Sequence, residues 1–420
     1  MTNIKKLSVL SAGNMMLKGG SQYLIIFLFL QGLGVEAVGE YKAFSNLAIA
    51  LWVFGKLGLD QTFYRWASSD WNTHEITLVS QFILILRVSM VALILLYCAV
   101  NFENKVIIFI GSYTSCMLIR SFYTEAYFPA LKEFNKSVIY TLAYQTLLIS
   151  IITLTVFYLH KDIFLILALF EIVFVASLVY VNRTMFSQTL QIAAGYRILV
   201  KNKACRNFII YTFISSIGSV STYKLLELYF IGETLNYETS GQVVLLSTIV
   251  FLFANVCPAN IMRSFILPYL KDDRQGSSLI QKLFLINTVY GVLIALLLVS
   301  SSVTFILEMY LKLSDELIKL FPILVLHGFI SLQNSFVSII LLKTGKLRTT
   351  LHMAIGMLIC YALGPFILKN YGIMEFLALP VLVISFGLLL YCHVISNLGY
   401  KSISQKIIIM VFVMPVILLF

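Results

Sequence analysis

The chain has 420 residues, of which 60% are apolar and only 12% are charged; its mean hydropathy is +0.93. A soluble domain carries about 25% charged residues, so this composition excludes a soluble enzyme, a disordered chain and a fibrous one, and leaves an all-α polytopic membrane protein. The formal net charge is +11. The basic residues lie in short segments between apolar runs, where cytoplasmic loops concentrate Lys and Arg, so the charge argues for membrane orientation and against nucleic acid as a partner.

A short basic N-terminus (Met1–Lys6) precedes the first apolar run, which is too long for a signal-peptide core. In chain order the runs predict twelve transmembrane helices: Leu7–Gln31, Ala43–Tyr64, Ile76–Val100, Val106–Ala130, Val138–Leu159, Ile163–Val181, Asn207–Ile231, Gly241–Leu267, Leu283–Leu307, Leu317–Leu342, Leu351–Leu368 and Ile373–Ile395. A last stretch, Ile407–Phe420, has 14 residues and contains Pro415. As a helix it would reach about 21 Å, short of a ~30 Å hydrocarbon core. It reads as a half-buried tail, with a thirteenth span as the alternative.

Orientation follows from the 30 Lys and Arg residues. With the N-terminus inside, 18 fall on inner loops, 6 on outer loops or span mouths (Lys42, Lys105, Lys161, Lys312, Lys319, Lys369) and 6 within spans. This asymmetry places both termini in the cytoplasm. The longest connection, Asn182–Arg206, is basic and partly apolar, like an amphipathic linker on the membrane surface. It sets the expected organisation: a six-helix lobe over residues 1–182, a cytoplasmic linker over 183–206, a second six-helix lobe over 207–397 and a tail over 398–420. Two weak internal matches support a parallel repeat: Glu36–Glu40 with Glu238–Gln242, and Leu131–Lys136 with Leu342–Lys346.

No soluble catalytic motif is present. There is no phosphate-binding P-loop, and the five histidines show no metal spacing. The six cysteines, Cys98, Cys116, Cys205, Cys257, Cys360 and Cys392, lie in or at the edge of apolar runs and read as small buried residues rather than a disulfide framework. No cofactor is expected. What remains is charge inside spans, which is costly in hydrocarbon unless it meets a partner or water. The set is Lys18, Lys56, Asp60, Arg87, Arg120, Glu125, Glu171, Lys224, Glu227 and Arg263. By helical rise Lys18, Arg87 and Glu171 lie near the midplane, and none has a charged neighbour at helical spacing. Lys56 and Asp60 are four apart and could pair on one helix, whereas Lys224, Glu227 and Arg263 fall near span ends. Four cations on four spans, turned inward, would enclose a basic hydrated cavity suited to a phosphate or pyrophosphate.

The opening run Leu7–Asn14, then Gly32–Tyr41, Gly55–Asp60 and Arg65, resembles the N-terminal third of the polysaccharide transporter branch of the multidrug/oligosaccharidyl-lipid/polysaccharide exporters, and within it the Wzx-type O-antigen flippases. Phe265–Pro268 and Lys343–Lys346 fit the same pattern. The resemblance implies two six-helix lobes around a central cationic cavity in the bacterial inner membrane. It implies alternating access that carries an undecaprenyl-pyrophosphate-linked oligosaccharide, the repeat unit of lipopolysaccharide O-antigen or a related polysaccharide, from the cytoplasmic to the periplasmic leaflet. Lys18, Lys56, Arg87 and Arg120 would then hold the head group, with Asp60, Glu125 and Glu171 balancing charge or carrying a coupling ion. Lys224, Glu227 and Arg263 are the weaker lumen candidates. Partners would be the lipid-linked oligosaccharide, membrane lipid, a polysaccharide polymerase and a chain-length regulator.

Three alternatives stay open at this point. A drug or metabolite antiporter would share the fold and favour an acid-led cavity. An O-antigen polymerase or membrane acyltransferase would need larger outer loops than Gly232–Ser240 and Glu308–Glu316. A purely structural scaffold would not need midplane charge. The topology itself is directly testable: reporter fusions after Lys201 and Lys346 should be cytoplasmic and a fusion at Tyr237 periplasmic, and a periplasmic signal at Lys201 would overturn the arrangement.

Overall fold

The computed structural model describes residues 20–69, 71–101, 103–131, 133–159, 162–183, 191–218, 220–255, 273–300, 303, 305, 318–343 and 350–419. Among these the chain is helical, with no strand. In order the helices are α1 (Gly20–Leu33), α2 (Val35–Gly55), α3 (Leu59–Ser69), α4 (Thr73–Val100), α5 (Lys105–Ser121), α6 (Phe134–Leu154), α7 (Ile163–Val181), α8 (Ile192–Lys201) and α9 (Lys203–Ile217). They continue with α10 (Val220–Thr234), α11 (Tyr237–Asn255), α12 (Asp273–Val299), α13 (Phe321–Lys343), α14 (Thr350–Asn370), α15 (Ile373–Asn397) and α16 (Lys401–Leu419). Among the described residues, eight segments are long and apolar enough to cross a membrane by length and composition.

The spans expected over residues 76–100, 106–130, 138–159, 163–181, 351–368 and 373–395 coincide with helices to within a few residues. Their ends carry ordinary capping chemistry. Asn72 and Glu75 form a reciprocal capping box at the start of α4, and Asn104 accepts from the Val106 and Ile107 amides at the start of α5. Elsewhere the structure differs from the sequence expectation. The second span is not continuous: α2 stops at Gly55 and α3 begins at Leu59. The seventh is split between α9 and α10. The eighth is described only to Asn255. The terminal stretch is longer than its apolar core suggested, because the polar turn from Lys401 to Lys406 joins the helix; Lys401–Leu418 is long and apolar enough to cross a membrane, despite Pro415.

The chain divides into two compact units, Met1–Ile217 and Gly218–Phe420. In the first, α5 packs against α2, α4 and α7, and α7 also meets α6. The core holds Phe63, Phe122, Tyr123 and Phe128 as interlocking aromatic rings. The stretch expected as a surface linker contributes α8, which packs against α4. Gly195 makes that approach close: a Cβ there would lie 2.3 Å from the Leu78 carbonyl oxygen. In the second unit α13 is central, touching α11, α12, α15 and α16. Its residues Leu324, Ile330 and Val337 are buried.

The break between α2 and α3 has a backbone cause. Leu57 and Gly58 both take positive φ, +51° and +71°, a conformation that costs a non-glycine residue roughly 1–2 kcal/mol. The break is held from outside. A Cβ on Gly58 would meet the Ile209 carbonyl oxygen at 2.5 Å and Thr212 Oγ1 at 2.6 Å on α9. The freed Gly58 carbonyl accepts from Thr62 Oγ1 at 2.8 Å and Thr212 Oγ1 at 3.3 Å. Irregular backbone at membrane depth is tolerated where protein buries it and satisfies its polar groups, as here.

Gly58→Ala should therefore lower stability by more than the ~1–2 kcal/mol of a left-handed Cβ alone. Gly34→Ala is the control, since Gly34 has φ +91° but no atom within 4 Å of an added Cβ. Thermal unfolding of both variants in detergent checks this, and equal shifts would show that the contact with α9 does not constrain the break.

Candidate functional site

The break at Gly55–Leu59 puts opposite charges where the helix ends want them. Lys56 caps the C-terminus of α2, and Asp60 sits in the first turn of α3; each complements its helix dipole. Their side chains lie 3.9 Å apart. Lys56 Nζ also lies 3.3 Å from Glu125 Oε2 and 3.5 Å from the centre of the Trp52 ring. Glu125 belongs to a π-helical segment, Phe122–Tyr127, that continues α5. Such segments are rare and concentrate at functional sites.

Arg87 completes this group. The sequence shows no helical partner for it, and the partner comes from another helix: its Nη2 donates to Asp60 Oδ1, and Nη1 donates to the Leu118 carbonyl at 2.5 Å. The guanidinium also lies 5.3 Å from the Phe122 ring centre. Arg87 is 1% exposed. The structure thus places Lys56, Asp60, Arg87 and Glu125 in one ion network, with Arg87 at its closed end and Lys56 and Glu125 at its open end. Arg87 faces protein, not open space.

A second polar cluster surrounds Glu171 on α7, which is fully buried. Its Oε1 accepts from the Tyr144 hydroxyl of α6 at 2.5 Å. Cys116 and Tyr113 of α5 lie beside the same carboxyl, whose Oε2 has no hydrogen-bond partner among the described residues. Tyr41 of α2 lies within electrostatic reach of Tyr113 and Glu171.

Arg120, near the end of α5, joins this cluster. Its guanidinium lies 3.6 Å from the Tyr144 ring centre and donates to Met117 Sδ at 2.6 Å. No carboxylate lies within ion-pair distance of it among the described residues. So Arg120 is held by a ring face and a weak sulfur acceptor, while Lys56 and Arg87 have carboxylate partners.

The remaining expected positions divide. Lys18 and Arg263 lie outside the described residues. Glu227 is buried at 1% exposure on α10, and the Lys224 backbone lies on the same helix. Sequence reasoning passed over Tyr41, Tyr113, Cys116 and Tyr144, because an aromatic or thiol inside an apolar run reads as core. It also passed over Asn287, His327 and Gln333 in the second unit, all buried. The cost of placing each polar side chain in hydrocarbon was the available signal. No group of side chains suited to hold a metal occurs among the described residues.

The all-helical fold is shared with solved structures of transporters. No family model matches the sequence, and no curated protein matches it. A multidrug resistance MATE family transporter of that superfamily in an inward-facing conformation superposes with a TM-score of 0.59 at 11% identity, covering 95% of this chain and 98% of its own. The MATE multidrug transporter DinF-BH, solved in a complex, gives 0.60 at 12% identity, covering 96% of each. The eukaryotic MATE transporter AtDTX14 gives 0.51 at 12% identity, covering 98% of this chain and 99% of its own. At these identities the likeness defines the fold.

The buried pair yields a stability prediction. Removing one partner of a buried ion pair costs about 3–5 kcal/mol, whereas replacing both with apolar groups is often neutral. Arg87→Leu should therefore lose folded protein, and Arg87→Leu with Asp60→Leu should recover most of it. Monodisperse yield and melting temperature test this; a double variant no better than the single one would show that the pair is not the unit.

Proposed function

We propose that the protein is a flippase for a polyprenyl-pyrophosphate-linked oligosaccharide, moving its head group from the cytoplasmic to the periplasmic leaflet of the bacterial inner membrane by alternating access. The observation that carries this reading is the state of the cations in the first unit. Arg120 is partly exposed and has no carboxylate in ion-pair contact among the described residues, and Lys56 is 21% exposed at the open end of its network. A guanidinium is a bidentate donor for phosphate, and an ammonium adds a point charge. A sugar-diphosphate head cannot cross hydrocarbon with its charges and hydroxyls unpaired. Cations presented within the membrane answer that need.

Within this reading Arg120 and Lys56 contact the head group, with Lys18 as a further contact. Arg87 acts as a positioning residue, holding Asp60 against Lys56. Glu171, buried and already hydrogen-bonded, carries the coupling proton. A polysaccharide polymerase and a chain-length regulator would be the partners that receive the product. The second reading, a drug antiporter, is favoured by the multidrug transporters that share the fold. It would put the acids, Asp60, Glu125 and Glu171, in contact with a cationic substrate.

Surface polysaccharide in a flippase-null host, measured beside membrane protein level, separates the two. Losing one charged contact costs ~2 kcal/mol, upward of tenfold in affinity. Arg120→Ala should reduce surface polysaccharide strongly at normal protein level, and Arg120→Lys should retain part of it. Glu171→Gln should leave folded protein but abolish the dependence of transport on the proton gradient. Full export by Arg120→Ala would end the head-group assignment.

A further inference from the structure

Tyr144 is the side chain that touches both charged groups of the second cluster. Its hydroxyl donates to Glu171 at 2.5 Å, and its ring face carries the Arg120 guanidinium at 3.6 Å. The ring is fixed laterally by two residues of α7: Phe174 lies edge-on with ring centres 5.0 Å apart, and Phe170 lies at 5.7 Å. We propose that Tyr144 is a positioning residue that couples the protonation of Glu171 to the affinity of Arg120 for an anionic head group. The proposal rests on the anionic-substrate reading above and adds to it the means by which a proton and the substrate influence each other.

The argument is one of competition. Ionised Glu171 draws on Arg120 across the width of one aromatic ring, so it rivals any incoming phosphate. The Tyr144 hydroxyl donates to that carboxylate and so orients the ring on which Arg120 rests. When Glu171 takes up a proton, the rival charge is gone and the carboxyl itself becomes a donor. The demand that fixes the Tyr144 hydroxyl is then relaxed. Arg120 is left with only Met117 Sδ as a side-chain acceptor among the described residues, a weak hold, and its fork is available to a phosphate. The groups that face Glu171 are Tyr144 from α6, Tyr113, Cys116 and Arg120 from α5, and Tyr41 from α2. Arg120 is the one cation among them, so the carboxyl charge acts on the substrate site mainly through it. By linkage, proton uptake then tightens anion binding, and anion binding favours proton uptake to the same extent.

The test is calorimetric binding of farnesyl diphosphate to the full-length protein in lipid nanodiscs, from about pH 5.5 to about pH 8.5. The wild-type protein should bind more tightly as pH falls, on the order of tenfold across that range. Glu171→Gln, neutral at every pH, should bind tightly throughout with no pH dependence. Tyr144→Phe keeps the ring face but lacks the hydroxyl, so it should bind with a pH dependence cut to about threefold or less. Tyr144→Leu, lacking both, should bind more weakly at all pH values. A merely structural Tyr144 would lower affinity uniformly, so a Tyr144→Phe profile parallel to the wild type overturns the proposal. So does pH-independent binding by the wild type, or a pH dependence that survives in Glu171→Gln. If Tyr144→Phe fails to fold, the Glu171→Gln profile decides alone. Absence of binding by the wild type at every pH would overturn the anionic-substrate reading, and the coupling with it.

Discussion

Charge inside hydrocarbon must find a partner, and the first unit is organised around that demand. A charged side chain at mid-depth costs several kcal/mol unless it is paired or hydrated. Here the demand is met across helices: Arg87 of α4 reaches Asp60 of α3 and the Leu118 carbonyl of α5. One guanidinium thus ties three helices together. The break at Leu57 and Gly58 serves the same end, because it turns Asp60 into a helix N-terminal residue that can meet Arg87 while Lys56 meets Glu125. The strain of a positive-φ leucine is offset by this network and by the contacts with Ile209 and Thr212.

Against that background Arg120 stands out. It sits on a ring face, where a cation–π contact contributes about 0.5–2 kcal/mol, and its carboxylate neighbour Glu171 is engaged by Tyr144. The two clusters therefore have different characters. The Lys56–Asp60–Arg87–Glu125 network is closed at Arg87 and holds the fold. The Arg120–Tyr144–Glu171 cluster is only loosely satisfied, and loosely satisfied charge is where binding energy remains to be gained.

Much of the fold was legible in the sequence, since hydrophobic run length is a strong signal in a membrane protein. The run Ile163–Val181 became a helix of those bounds, and α4, α5 and α15 start or end within a few residues of expectation. The break at Lys56–Gly58 was not legible, because Gly-Lys-Leu-Gly is compatible with a helix and the deciding contact comes from α9, more than 150 residues later. The π-helical turn at Phe122–Tyr127 likewise leaves no mark in composition. Of the candidate site, the charged members were visible by their cost. Their pairing was not: Arg87 finds Asp60 across 27 residues and two helices. Tyr144 was hidden because a tyrosine in an apolar run looks like core until its hydroxyl is seen to have a carboxylate partner.

The central claim is that the membrane-embedded cations serve an anionic lipid head group. Native mass spectrometry of the full-length protein, extracted with its lipids from a host that makes a lipid-linked oligosaccharide, tests it most directly. The account predicts a bound polyprenyl-pyrophosphate-linked oligosaccharide that is lost from Arg120→Ala at unchanged folded yield. A protein that retains no such lipid and instead binds hydrophobic organic cations, with Arg120→Ala unaffected and Glu171→Gln impaired, would contradict it.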